Sequence, residues 1–123
     1  IGVTVSQIDK STYFGRSTLW HHMELLAAKG ECLRIEVGDT DMYHLNEVIK
    51  PLKELQLKGG KLGSSYHFDL VSNIYGEYVR IQIKRESRTT ATHTRQGVII
   101  PYSSFNNFLD TLNTIKEILD SNK

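Results

Sequence analysis

The 123 residues carry a formal charge of +1 and 39% hydrophobic side chains, enough for one core without disulfide staples. A single cysteine, Cys32, excludes an internal disulfide framework and a multi-cysteine zinc site, and points to a reducing, intracellular setting in nucleus or cytoplasm rather than to secretion. No apolar run reaches the roughly 18 residues that span a bilayer and no signal-peptide series occurs, so no membrane partner is expected; Ile1 in place of Met suggests a processed or excised chain.

In chain order, residues 3–8 alternate as a first strand and residues 19–26 as a second, with Trp20, His22 and Glu24 on one side. Ala27-Ala28-Lys29-Gly30 reads as a turn into a strand over 32–37, where Leu33, Ile35 and Val37 share the inner face. Gly38-Asp39-Thr40-Asp41 then supplies turn and cap residues for a helix with Leu45, Val48, Leu52 and Leu55 inward. Pro51 should kink that helix near 47–50 or delay its start, because proline removes one backbone bond and clashes with the preceding turn. Residues 58–65, rich in Gly and Ser, read as a linker; they lack the Gly-Lys-Ser/Thr ending of a phosphate loop.

In the second half Tyr66, Phe68 and Leu70 alternate with His67, Asp69 and Val71 as a half-buried strand. A turn over 72–76 follows, with Asn73 and Gly76 tolerant of positive φ. The returning strand over 78–84 sends Val79, Ile81 and Ile83 to the core and lines the opposite face with Tyr78, Arg80, Gln82 and Lys84, which makes that face the candidate binding surface. Residues 85–96 are rich in threonine and predict a twisted hairpin supplying third and fourth strands. Gly97-Val98-Ile99-Ile100 closes the sheet, Pro101 ends it, and Ser103 caps a helix carrying Phe105, Phe108, Leu109, Leu112, Ile115 and Leu119 on one stripe.

Each half thus reads as a hairpin followed by an amphipathic helix. The expectation is an α+β fold of two sheet-plus-helix repeats in one pseudo-symmetric domain, with the first repeat over about 1–57 and the second over about 66–123. Between residues 79 and 96, Arg80, Lys84, Arg85, Arg88 and Arg95 face a single acid, Glu86, which makes a local basic stripe on a nearly neutral chain. Cations that track phosphates and flat side chains that stack on bases are what single-strand binding needs. The same alternation also describes an ordinary solvated sheet face. Trp20 and Tyr13 read either as stacking platforms or as core. His21 and His22, with Cys32 and His44, do not predict a metal site, because adjacent residues on a strand point to opposite faces. No nucleophile, base and acid stand in a telling arrangement, so neither an enzyme nor a cofactor is expected.

The string FDLVSNIYGEYVRI from Phe68, followed by GVIIPYSSFNNFLDTL from Gly97, resembles a repeat of the PUR family, the purine-rich element binding proteins. HMELLAAKGECLRIEV from His22 is similar to a weaker copy. The resemblance implies two intertwined four-strand-plus-helix repeats, an architecture related to that of Whirly proteins, whose curved sheets bind single-stranded DNA or RNA, often purine-rich, in transcription or RNA regulation. Carried onto this chain, it places Asn73 at a base-contacting turn position, Arg80 and Arg34 at second-strand basic positions, and Lys29 at the basic turn of the first repeat, with Tyr78 and Phe105 as expected aromatics. The expected interface then takes phosphates on Lys29, Arg34, Lys84, Arg85, Arg88 and Arg95, and bases or riboses on Asn73, Tyr78, Arg80 and Gln82. Val71, Tyr75 and Glu77 stand where binding repeats carry basic residues, a pattern closer to the family's last repeat, which pairs two molecules. The alternative is therefore a homodimerisation module joined through Val71, Ile74, Tyr75, Val98, Ile100 and Tyr102.

Overall fold

Residues 16–28 hold no glycine or proline and only one β-branched side chain, Thr18, and their Leu, Met, Glu and Ala are strong helix formers. In the computed structural model, which describes residues 2–9, 15–56, 64–86 and 92–122, they form helix α2, Arg16–Ala28, where a strand was expected. The helix ends where Gly30 takes a φ of 78° and the Gly30 and Glu31 amides bond back to the Ala27 and Leu26 carbonyls. Upstream, the Thr4 and Gln7 side chains each accept the other's backbone amide, a capping box that opens the short helix α1, Val5–Asp9. Of the strand expected over 3–8, only Val3 remains extended, bridged to Tyr43 by two backbone bonds.

Strands β1, Cys32–Val37, and β2, Thr40–Leu45, form a two-residue hairpin about Gly38, whose φ is 64°. The turn expected to cap a helix instead reverses a strand. The expected helix is itself a strand, β3, Glu47–Gln56. Pro51 is tolerated there because β3 is an edge strand with register shifts on either side of the proline.

Strand β4, Ser64–Asn73, pairs with β3 and takes in Ser64 and Ser65 of the segment expected to be a linker over 58–65, whose residues 58–63 lie outside the described residues. β5, Gly76–Glu86, and β6, Thr92–Pro101, complete an antiparallel sheet in the order β3-β4-β5-β6. Of the segment over 85–96 expected to supply two extra strands, residues 85–86 are the end of β5 and 92–96 the start of β6, residues 87–91 lie outside the described residues, and Gly97 continues β6 without a break. A single 3-10 turn, Tyr102–Ser104, leads into α3, Phe105–Ser121, with Ser104 rather than Ser103 at the N-cap. The fold is α+β, with one two-stranded and one four-stranded sheet among the described residues. Only its second half has the expected order of hairpin and then helix; in the first half the helix precedes the hairpin.

Residues paired across neighbouring strands share a face of the sheet. Tyr66, Phe68 and Leu70 of β4 lie opposite Ile83, Ile81 and Val79 of β5, and Ile81 and Val79 opposite Val98 and Ile100 of β6, so this face is apolar. The other face carries Asp69 opposite Arg80, and His67 opposite Gln82. The N-terminal unit docks on that polar face. Gly97 lies so close under the Lys29 carbonyl that a Cβ there would overlap it.

At one end the apolar face meets the 3-10 turn Tyr102–Ser104, where Tyr102 and Phe105 line a groove with Leu52, Phe68 and Val79. Phe105 is half-buried, while every α3 residue from Asn106 onward is exposed. The chain presents 9159 Å² to solvent, against about 6,700 Å² for a compact monomer of its mass.

Candidate functional site

Tyr78, Arg80, Gln82 and Lys84 do share one face of β5, as the alternation requires, but the centre of that face is closed. Arg80 is 4% exposed and Gln82 1%. Arg80 Nη2 donates to Asp69 Oδ2 at 3.0 Å, and its Nη1 lies 3.3 Å from Glu31 Oε2. Gln82 Nε2 donates to the Lys29 carbonyl at 2.8 Å and to Glu31 Oε1 at 2.9 Å. Both side chains were expected to meet bases; instead they hold the turn between α2 and β1 against the sheet. A polar group is kept in a core when its bonds are answered there; the turn's carbonyls and the Asp69 and Glu31 carboxylates answer the Gln82 amide and both Arg80 Nη groups, while Arg80 Nε is buried without a partner among the described residues.

The network continues through asparagines. Asn46 Nδ2 donates to the Gly30 carbonyl at 3.0 Å, Asn73 Nδ2 to Asn46 Oδ1 at 2.8 Å, and the Tyr75 amide to Asn73 Oδ1 at 2.8 Å. Asn73, expected to contact bases, has both ends of its amide engaged, Nδ2 tying the β4–β5 turn to Asn46 and Oδ1 closing the turn itself on the Tyr75 amide.

The remaining expected phosphate contacts divide. Lys84 and Arg85 are half-buried near the end of β5, beside Ser65 and Ser64 on β4, and form no ion pair among the described residues. Lys29 is half-buried and Tyr78 likewise. Arg34 is exposed, but its Nη1 bonds both oxygens of Glu24 at 2.9 and 3.0 Å. Glu24 also accepts the Tyr43 hydroxyl at 2.7 Å. That bond, followed by Arg34, holds the Glu24 carboxyl below its ordinary range against the opposing effect of burial. Burial foremost, then the bond to Glu24, pushes the Tyr43 phenol far above its ordinary value. Arg95 lies on β6, and Arg88 falls outside the described residues.

The expected pairing residues also divide. Val71 is fully buried and Ile100 nearly so, hence neither is free to meet a partner. The pattern marked them as apolar but could not tell which faces the tertiary fold would cover. Ile74, Tyr75, Val98 and Tyr102 are exposed. The uncovered apolar surface continues onto α3 through Phe108, Leu109, Leu112, Ile115 and Leu119.

His44, Glu24, Glu31, Tyr43, Asn46 and Asp69 were not among the residues expected to matter. Asp69 was legible: a turn joining Asn73 to Gly76 sets the register that puts it opposite Arg80. His44 is 4% exposed, stands edge-on to Tyr75 at 5.1 Å between ring centres, and has no partner for either ring nitrogen among the described residues. Burial, with a smaller push from Glu31, raises the Cys32 thiol and makes it a poor nucleophile. His21 and His22 lie exposed on α2, not on a strand. Among the described residues no three His, Cys, Asp or Glu side chains gather as metal ligands, and no helix is long and apolar enough to cross a membrane.

The site belongs to an α+β chain whose polar sheet face is used internally and whose apolar sheet face is only partly covered, buried at Val79 and Ile100 and exposed at Val98. Among known proteins, no family model, curated protein or solved structure matches the chain.

Proposed function

We propose that this chain is a non-enzymatic pairing module of PUR type, in which α3 of one copy lies on the apolar sheet face of a second copy. The observation that carries this reading is that one chain leaves two matching surfaces only partly covered. The sheet face offers Tyr66, Phe68, Ile81 and Val98, and a groove of about 400 Å³ between Leu52, Phe68, Val79, Tyr102 and Phe105. The helix offers Phe108, Leu112, Ile115 and Leu119 at alternating spacings of four and three residues. Each such side chain gains about 1.5 to 3 kcal/mol when fully buried, and this is the driving force set against the freedom lost on association. The order β3-β4-β5-β6 followed by α3 supports the four-strand-plus-helix unit of the PUR resemblance.

A second reading, that the paired molecule binds single-stranded DNA or RNA, is favoured by Lys84 and Arg85, cations at one end of the sheet without acidic partners among the described residues. One experiment addresses both. Molecular mass and binding to labelled single strands, with duplex controls, are followed across a salt series for the wild type, for Leu112→Glu with Ile115→Glu, and for Lys84→Ala with Arg85→Ala. The helix variant should fall from dimer to monomer. The cation variant should stay paired while its salt slope becomes shallower by about 1.4 units, 0.7 for each phosphate of a single strand that is no longer neutralised. A monomeric wild type at tens of micromolar would end the pairing reading, and equal single-strand affinity in wild type and cation variant would end the second.

A further inference from the structure

In the N-terminal unit an extended residue, Val3, is followed by α1, α2 and the β1–β2 hairpin. Val3 pairs with Tyr43 on the outer edge of β2, so three strand segments lie in the order Val3, β2, β1. α2 lies against α1, where the Arg16 guanidinium donates to the Ser6 hydroxyl, and against the hairpin, where Tyr43 and Arg34 hold Glu24. Residues 10–15, ending in Gly15, join the two helices. Helices in contact across a short connection that carries a glycine are the plan of a helix-turn-helix. One face of its second helix points away from all these contacts. Thr18, His21, His22 and Leu25 fall at i, i+3, i+4 and i+7, and all four are exposed. Their side chains spend no hydrogen bond among the described residues. The face carries no acid, because Glu24, the one carboxylate of α2, is turned to the hairpin. Thr and His form helices less readily than Lys, Glu or Arg, so helix stability does not account for them at exposed positions.

We infer that α1 and α2 read duplex DNA, and that this face of α2 enters the major groove. An α-helix with its side chains is about 10 to 12 Å across and the groove of B-form DNA about 12 Å wide, so one helix fills it. Every base pair turns at least one acceptor into that groove: N7 or O6 of guanine, N7 of adenine, O4 of thymine. A neutral imidazole always carries one N–H donor and a threonine hydroxyl another, so His21, His22 and Thr18 match those acceptors. Leu25 and the Thr18 methyl suit the thymine methyl. Charge sets the orientation. The hairpin carries Glu36, Asp39 and Asp41, which phosphates repel, whereas the first turn of α2 carries the exposed Arg16 and no acid. The helix therefore meets the duplex by its N-terminal half, as second helices of such units do, and the hairpin braces it from behind through Glu24. Duplex RNA does not fit, because its major groove is too deep and narrow for side chains to read. This surface lies on the N-terminal unit, away from Lys84 and Arg85, and it needs neither the pairing nor the single-strand reading.

The test is fluorescence anisotropy of the full chain at low salt with a labelled mixed-sequence DNA duplex, the RNA duplex of the same sequence, and one of the DNA strands alone. The wild type should bind the DNA duplex at micromolar concentration and the RNA duplex about tenfold or more weakly. Thr18→Ala with His21→Ala should weaken binding to the DNA duplex about tenfold, with an unchanged circular dichroism spectrum because both side chains are exposed. The same variant should keep the molecular mass and the single-strand binding of the wild type, which separates this surface from the two readings above. Selection from a pool of random DNA duplexes should enrich one short motif, and His21→Ala alone should relax the preference at one position of it. A DNA duplex bound no better than the RNA duplex overturns the inference. So does equal duplex affinity in the wild type and the double variant, or an enriched motif that His21→Ala leaves as it was.

Discussion

Arg80 is a cation withdrawn from water, held between Asp69 on the neighbouring strand and Glu31 on the docked turn. Such a group contributes little as a pair but costs much when half of it is removed. Arg80→Met leaves Asp69 buried without its partner, and we expect urea unfolding to register a loss of about 3 to 5 kcal/mol. Adding Asp69→Leu should recover a large part of it. A single variant as stable as the wild type would mean that the ion pair does not hold the docked turn. Alternation and the Asn73-to-Gly76 turn are enough to define the face and the cross-strand partner of Arg80. They do not define Glu31, which is 49 positions away in sequence and meets Arg80 only after docking.

Among the elements, those of the second half follow their sequence pattern and those of the first depart from it, for identifiable reasons. β4, β5 and α3 have one buried or apolar face each and announce it by a period of two or of about 3.6. β3 is exposed along its whole length, so no buried face imposes alternation, and its leucines fall by chance at helical spacings. Pro51 was the dissenting signal, since an edge strand accommodates it where a helix interior does not. In α2 the reverse happened: Leu19, Met23 and Leu25 suggest alternation, while the summed helix propensity of the segment decides. The joint between the two units rests on Gly97, where a side chain would strike the Lys29 carbonyl. Gly97→Ala should lower stability by about 1 to 3 kcal/mol, read as a reduced melting temperature. A melt identical to that of the wild type would show that the turn is not held against β6.

Across the molecule as a unit, the polar face is covered by the docked turn, while the apolar face is buried at Val79 and Ile100, half-buried at Tyr66, Phe68 and Ile81, and exposed at Val98. A chain completed by a second copy gains stability by mass action. Its melting temperature should therefore climb as concentration is raised a hundredfold, and Leu112→Glu with Ile115→Glu should abolish the climb. A melting temperature independent of concentration in the wild type would count against pairing.

Local sequence is sufficient to specify β4, β5, the C-terminal part of β6, and the apolar stripe of α3, because period, turn residues and propensity act within a few positions of one another. It also places Arg80 and Gln82 on one face. What that face meets is settled by tertiary packing. The carbonyls of Lys29 and Gly30 and the carboxylate of Glu31 reach it because α2 ends at a glycine of positive φ and β1 leaves in a new direction. Burial is a property of two surfaces brought together, and a one-dimensional pattern carries only one of them.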